Sequence, residues 1–143
     1  MKNFILTLAA IVALISQLAN PCNAQCKDFT ENEAMPLLGD YIISGKYNSI
    51  KLTEGEDILI FKTLSKGIEY KFVVKGEVCF KNGVEFSVET WEGDVIYSSS
   101  NEPVWNFKCN KTQRVKIYVK VPLINSTNPE NGCVTILTGI KAS

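Results

Sequence analysis

The chain predicts an all-β fold: an antiparallel β-sandwich or jelly roll of about eight strands, with a short helical turn at its N-terminal end. Three observations carry this. Apolar residues recur with period two. Ile68, Tyr70, Phe72 and Val74 alternate with Glu69, Lys71, Val73 and Lys75, and Val84, Phe86 and Val88 alternate with Glu85, Ser87 and Glu89. Val115, Ile117, Val119 and Val121 alternate in the same way with Arg114, Lys116, Tyr118 and Lys120. Successive side chains of a strand point to opposite faces, so each run sets one face in a core and the other in water. Second, glycine-bearing turns punctuate the runs: Glu54-Gly55-Glu56, Ser65-Lys66-Gly67, Lys81-Asn82-Gly83 and Glu92-Gly93-Asp94. Third, no helical segment separates the strand runs, as parallel crossover units would require. A closed barrel has the same periodicity, and the pattern leaves it open.

Taken in order, residues 1–24 read as a cleaved signal peptide. Lys2 gives a positive start, the stretch from Phe4 to Leu18 is almost unbrokenly apolar, Asn20 and Pro21 end any helix, and Ala24 is a small residue at the expected cut. The apolar run falls short of the roughly 20 residues that cross a bilayer, so no transmembrane anchor is expected and the protein reads as exported. A lipid anchor on Cys22 or Cys26 is the rival; Pro21 and Gln25 stand where such a signal places a small residue. Residues 25–143 then form a single domain. Its first stretch, 26–38, is the helix candidate, with Thr30 and Glu33 at capping-box spacing and Pro36 limiting it to a turn or two. Weaker strands fit 41–43, 49–52, 58–64, 95–98, 104–109 and 133–140. The proline- and asparagine-rich stretch 122–132 is a loop that crosses between sheets.

Of five cysteines, a cut after Ala24 removes Cys22 and leaves Cys26, Cys79, Cys109 and Cys133. In an exported chain these read as two disulfides, and spacing leaves all three connectivities open. With no histidine and no Cys-x-x-Cys pair, a metal site is not expected, and the acidic turns 54–57 and 89–94 lack the spacing of a calcium loop.

Composition narrows function by exclusion. The chain carries 15 Lys plus Arg against 15 Asp plus Glu, without a basic stripe, which argues against nucleic acid as a partner. Absence of histidine removes Ser-His and Cys-His catalysis, so the protein reads as not an enzyme and without a cofactor. A small carboxylate-based hydrolase built on Glu89, Glu92 and Asp94 is the remote alternative. Trp105 and Phe107 share the phase of Cys109 and read as core. Trp91, at a strand end beside Glu92-Gly93-Asp94, and Tyr97 and Tyr118 are the candidate binding residues, since exposed rings stack on sugars or anchor protein interfaces. The competing reading folds Trp91 over the sandwich end as a lid. Asn110-Lys111-Thr112 and Asn125-Ser126-Thr127 fit the glycosylation sequon.

Three blocks, GIEYKFVV, VWNF and VPLINSTNPENGCVTILTGIK, resemble a family of small uncharacterised exported proteins of Bacteroidetes-type bacteria. The resemblance rests on Gly67, Tyr70, Phe72, Trp105, Phe107, Gly132, Cys133, Leu137 and Gly139. It implies an exported β-sandwich and carries over no functional residue. It also implies a Cys79–Cys133 disulfide, with Cys26–Cys109 as the added pair. A looser likeness connects the chain to sandwich modules that follow some secreted bacterial peptidases. The expected function is therefore an exported, non-catalytic binding or assembly domain. Its partner would be a cell-envelope protein or, in the alternative carbohydrate-binding reading, a glycan.

Overall fold

A computed structural model describes residues 26–124 and 126–142; the expected signal peptide and the sequon residue Asn125 lie outside the described residues. Within them the expected sandwich is present. Strands β1 (Tyr41–Ile43), β2 (Asn48–Thr53), β4 (Glu69–Gly76), β7 (Val104–Lys108) and β9 (Asn131–Lys141) form one antiparallel sheet. Strands β3 (Asp57–Leu64), β8 (Gln113–Lys120), β5 (Glu85–Thr90) and β6 (Val95–Ser99) form the other, in that spatial order. Two separate sheets exclude the closed barrel. The loop after β8 leads to β9 and so crosses from one sheet to the other, as its length suggested.

The long β9 is the spine of the five-stranded sheet. It pairs with β4 along one side, and with β1 and β2 in succession along the other. Between the sheets, Phe72, Val74, Val134 and Ile136 meet Leu64, Phe86, Val88, Val115, Ile117 and Val119 in one continuous core. The period-two runs of the sequence supply seven of these ten side chains, because alternation aims every second residue inward.

The outer face of the five-stranded sheet is covered as well. Residues 26–38 form a continuous helical arm that passes from an α turn (Cys26–Phe29) through a wide π turn (Thr30–Ala34) to a 3-10 turn (Met35–Leu38). Pro36 does not stop this arm, because it sits in the first turn of the 3-10 segment, where its missing N–H has no helical partner to lose. Thr30 is not a cap. Its hydroxyl donates to the Cys26 carbonyl (2.8 Å) and meets the hydroxyl of Thr135 on β9 at 2.7 Å. Ala34, Leu38 and Tyr41 pack on Val73 and Leu137, forming a second, smaller core. That contact explains why Val73 breaks the charged phase of β4, and why β9 is buried on both faces from Gly132 to Gly139.

The disulfides differ from the expected pairing. Cys26 bonds Cys133, pinning the start of the arm to β9. Cys109 is a free, buried thiol, its Sγ 2.8 Å from the Lys111 carbonyl. The expected Cys26–Cys109 bond is barred by the sheet itself: Cys26 lies on the outer side with the arm, whereas Cys109 belongs to the core between the sheets. The Cys79–Cys133 bond is excluded because Cys133 is taken. Cys79 is nonetheless disulfide-bonded. Among the described residues, no helix is long and apolar enough to cross a membrane.

Candidate functional site

With the arm over one sheet, the outer face of the four-stranded sheet is left bare, and its side chains can be read off the strand register. Phe61, Lys116, Glu89 and Val95 stand in one row; Leu59, Tyr118, Ser87 and Ser98 in the next; Asp57, Lys120 and Glu85 in the third. Beyond the first row Arg114 pairs across from Thr63. The face is thus apolar and aromatic at one end, hydroxyl- and carboxylate-bearing at the other.

At the apolar end, Phe61 and Trp91 meet with ring centroids 5.8 Å apart. The Arg114 guanidinium lies over both, 5.2 Å from the Phe61 centroid and 4.7 Å from that of Trp91. Cation–π attraction of this kind contributes about 0.5–1 kcal/mol at an exposed site, a modest bias toward this arrangement of the three side chains. They remain open to solvent: Phe61 is 47% exposed, Trp91 53%, Val95 61% and Leu59 39%. Trp91 is placed by the hairpin that joins β5 to β6. Gly93 takes a φ of +99°, and the Thr90 hydroxyl accepts the Asp94 N–H at 3.1 Å. Beside the cluster, Lys116 and Glu89 approach to 4.0 Å. At the polar end an open hollow of about 730 Å³ is bounded by Tyr118, Ser87, Ser98, Asp57, Glu85 and Lys120.

Of the candidate residues, Trp91 and Tyr118 stand on this face, and Tyr97 does not. Its ring turns inward, stacks on Trp105 (4.6 Å) and meets Phe86 at a tilt (5.1 Å). The cause is a β-bulge. Val88 pairs with Tyr97 and the next residue, Glu89, with Val95, so Ile96 is the extra residue. Val95 and Tyr97, two apart and expected on one face, end up on opposite sides. Sequence reasoning missed Phe61, Leu59 and Arg114. The available signal was Ile58-Leu59-Ile60-Phe61, a strand apolar in both phases although only one of its faces meets the core.

Two groups titrate abnormally, both off this face. A hydrogen bond donated to Glu69, together with burial, pushes Tyr41 up to about 12, and burial lowers Lys62, whose ammonium donates to the Ser44 carbonyl at 2.8 Å. Among the described residues no three His, Cys, Asp or Glu side chains gather as metal ligands.

No protein-family model matches the chain, and neither does any curated protein. Among solved structures it is similar to PliG of Aeromonas hydrophila, a periplasmic inhibitor of g-type lysozyme, with a TM-score of 0.52 and 13% identity over 67% of this chain and 85% of that one. At that identity the likeness is one of fold.

Proposed function

We propose that this protein is an exported, non-catalytic domain that binds a protein partner through the bare face of its four-stranded sheet, and that the partner belongs to the lysozyme class of glycan-cleaving enzymes. The observation that carries the reading is the Phe61–Trp91–Arg114 cluster. Tryptophan and arginine are the residues most enriched where protein interfaces concentrate their binding energy, and an exposed apolar patch rimmed by charge is a common mark of such an interface. The rings already touch in the free protein, which biases them toward one arrangement and reduces part of the ordering cost of association. The partner class is supported by the fold it shares with a lysozyme inhibitor. An inhibitor also needs no catalytic constellation of its own.

The hollow beside the cluster favours a second reading. Tyr118, Asp57, Glu85 and two serines are the ring, carboxylates and hydroxyls with which a sugar is stacked and hydrogen-bonded. One experiment separates the two. Purified protein is titrated into g-type and other lysozymes while lysis of cell walls is followed, and in parallel is applied to a glycan array that includes peptidoglycan fragments. The proposal expects inhibition that weakens at least about tenfold in Trp91→Ala, in keeping with a hot-spot residue. Glycan binding lost in Tyr118→Ala and kept in Trp91→Ala would establish the second reading instead. Absence of binding to any lysozyme would remove the partner class.

A further inference from the structure

We propose that the protein pairs with a second copy of itself through the free edge of β3, antiparallel and about a two-fold axis at Ile60, so that two four-stranded sheets join into one. β3 ends its sheet and bonds β8 alone. The Val121 N–H donates to the Glu56 carbonyl at 3.0 Å, which sets the phase of that ladder. Main-chain groups alternate sides along a strand, so Ile58, Ile60, Lys62 and Leu64 bond β8. The N–H and C=O of Asp57, Leu59, Phe61 and Thr63 then point to the open side. Among the described residues nothing meets them there.

The other edges are blunted in ways that β3 is not. β1 and β2 share one edge in pieces of three and six residues. β6 is bent by the bulge at Val88/Glu89, and the Tyr97–Trp105 stack closes the side where β6 and β7 run. β3 has eight residues in unbroken register and contains no proline. Its one inward charge is Lys62, whose ammonium reaches the Ser44 carbonyl, just beyond β1 in the other sheet, at 2.8 Å.

The edge is complementary to itself, which is what names the occupant. About an axis at Ile60, Leu59 stands opposite Phe61 of the second copy, and Asp57 opposite Thr63, each pair occurring twice and exchanging two main-chain bonds. Leu59 and Phe61 are 39% and 47% exposed, so pairing takes apolar area out of water. In its row Asp57 has Lys120 on one side; on the other, beyond Thr63 of the second copy, comes that copy's Arg114. The carboxylate falls between two cations, and no like charges are opposed. Lys62 meets Ile58, not a second lysine. Sliding the copies by two residues in either direction leaves three pairs instead of four. The axis runs perpendicular to the sheet, so both bare faces lie on the same side of the joined sheet, with two Phe61–Trp91–Arg114 clusters on it. The pairing itself does not depend on what those clusters bind.

Sedimentation of the purified protein between about 0.01 and 1 mM tests it. An edge contact smaller than the roughly 1,200–2,000 Å² of a standard interface is expected to associate weakly, at about 0.1 mM. The mean mass should climb from that of one chain toward that of two. Leu59→Pro removes an N–H that the single chain leaves unused, so its thermal midpoint should change little while dimerisation weakens at least about tenfold. Register is read separately. Ile60 would face its own counterpart as a non-hydrogen-bonded pair, with Cα atoms about 4.5 Å apart and within disulfide reach. Ile60→Cys should therefore cross-link two chains when oxidised glutathione is added as oxidant, and Ile58→Cys, opposite Lys62, should not. Should the proline unfold the chain, the cross-link decides alone. A wild type that stays monomeric throughout, a folded Leu59→Pro that dimerises like wild type, or a cross-link absent at Ile60 or equal at Ile58 would each overturn the pairing.

Discussion

Tyr97 and Trp105, from opposite sheets, stack with ring centroids 4.6 Å apart and planes 15° from parallel. Trp105 also stacks on Phe72 (5.4 Å) and Phe107 (4.9 Å), and Tyr97 meets Phe86 at a tilt (5.1 Å), so a cluster of rings closes the side of the sandwich where the edge strands β6 and β7 meet. Trp105→Ala should remove about 2–4 kcal/mol of stability. That lies somewhat below the roughly 3–5 kcal/mol usual for a deleted core aromatic, since this ring is only partly buried. Urea unfolding gives the number. In a double-mutant cycle with Tyr97→Ala, a coupling of about 0.5–1.5 kcal/mol would register the stack itself.

Trp91 should behave in the opposite way. Its ring touches Phe61 and Arg114 on an exposed face, so Trp91→Ala should cost about 1 kcal/mol or less and leave the thermal midpoint nearly unchanged. Paired melts of Trp91→Ala and Trp105→Ala are the check. Equal losses in the two would mean that Trp91 is part of the core, and the bare face would lose its anchor.

Gly139 lies beneath the helical arm, where a Cβ would come within 2.9 Å of Leu38 Cδ2 and of Tyr41 Cβ. The leucine can rotate; the Tyr41 Cβ is fixed to its backbone. Gly139→Ala should therefore lift the arm from β9 and destabilise by about 1–3 kcal/mol, the usual range for overpacking. Gly67→Ala is the instructive contrast. Nothing lies within 4 Å of its Cβ position, but its φ is +84°, so its cost of about 1 kcal/mol would come from backbone strain and not from packing. Amide exchange should distinguish them, with protection of 26–38 lost only in the Gly139 variant.

The sheets were legible where a strand has one wet face and one dry face. β4, β5 and β8 alternate cleanly, and their inward residues are the core. Legibility failed where that condition fails. β9 is dry on both faces and β3 is apolar on both, so neither shows in its composition which side meets the other sheet. Val73, a valine among the lysines and glutamate of its phase, marks where the arm docks on β4, but its meaning depends on an element far away in sequence. Tyr97 was misread because one inserted residue reverses phase without any compositional mark. Trp91 stands at the turn between β5 and β6, where its sequence neighbours put it, whereas Phe61 and Arg114 come from β3 and β8 and join it only through strand pairing. Cysteine pairing was out of reach because it depends on which side of a sheet each sulfur occupies.

Tyr41 supplies a prediction with a definite pH window. Its hydroxyl donates to the Glu69 carboxylate, which also has Lys141 at 3.8 Å, while Lys71 stands over the ring at 4.3 Å and donates to the Leu38 carbonyl at 3.1 Å. The bond to Glu69 and burial, with repulsion from the Glu69 and Asp40 charges, raise the phenol from 10.0 to about 12. Because the folded value lies above the unfolded one, the stabilisation is complete below about pH 10 and drains away as pH rises toward about 12, where the unfolded chain gains by holding tyrosinate. Tyr41→Phe cannot donate to Glu69, so it should be less stable than wild type at about pH 8, and the gap should shrink steadily above about pH 10. The difference between the two proteins, and not the wild-type curve alone, carries the test. Urea midpoints at closely spaced pH values measure it. A gap that stays constant through the window would show that the phenol ionises alike in both states and that the bond to Glu69 contributes nothing to holding β1 against β4.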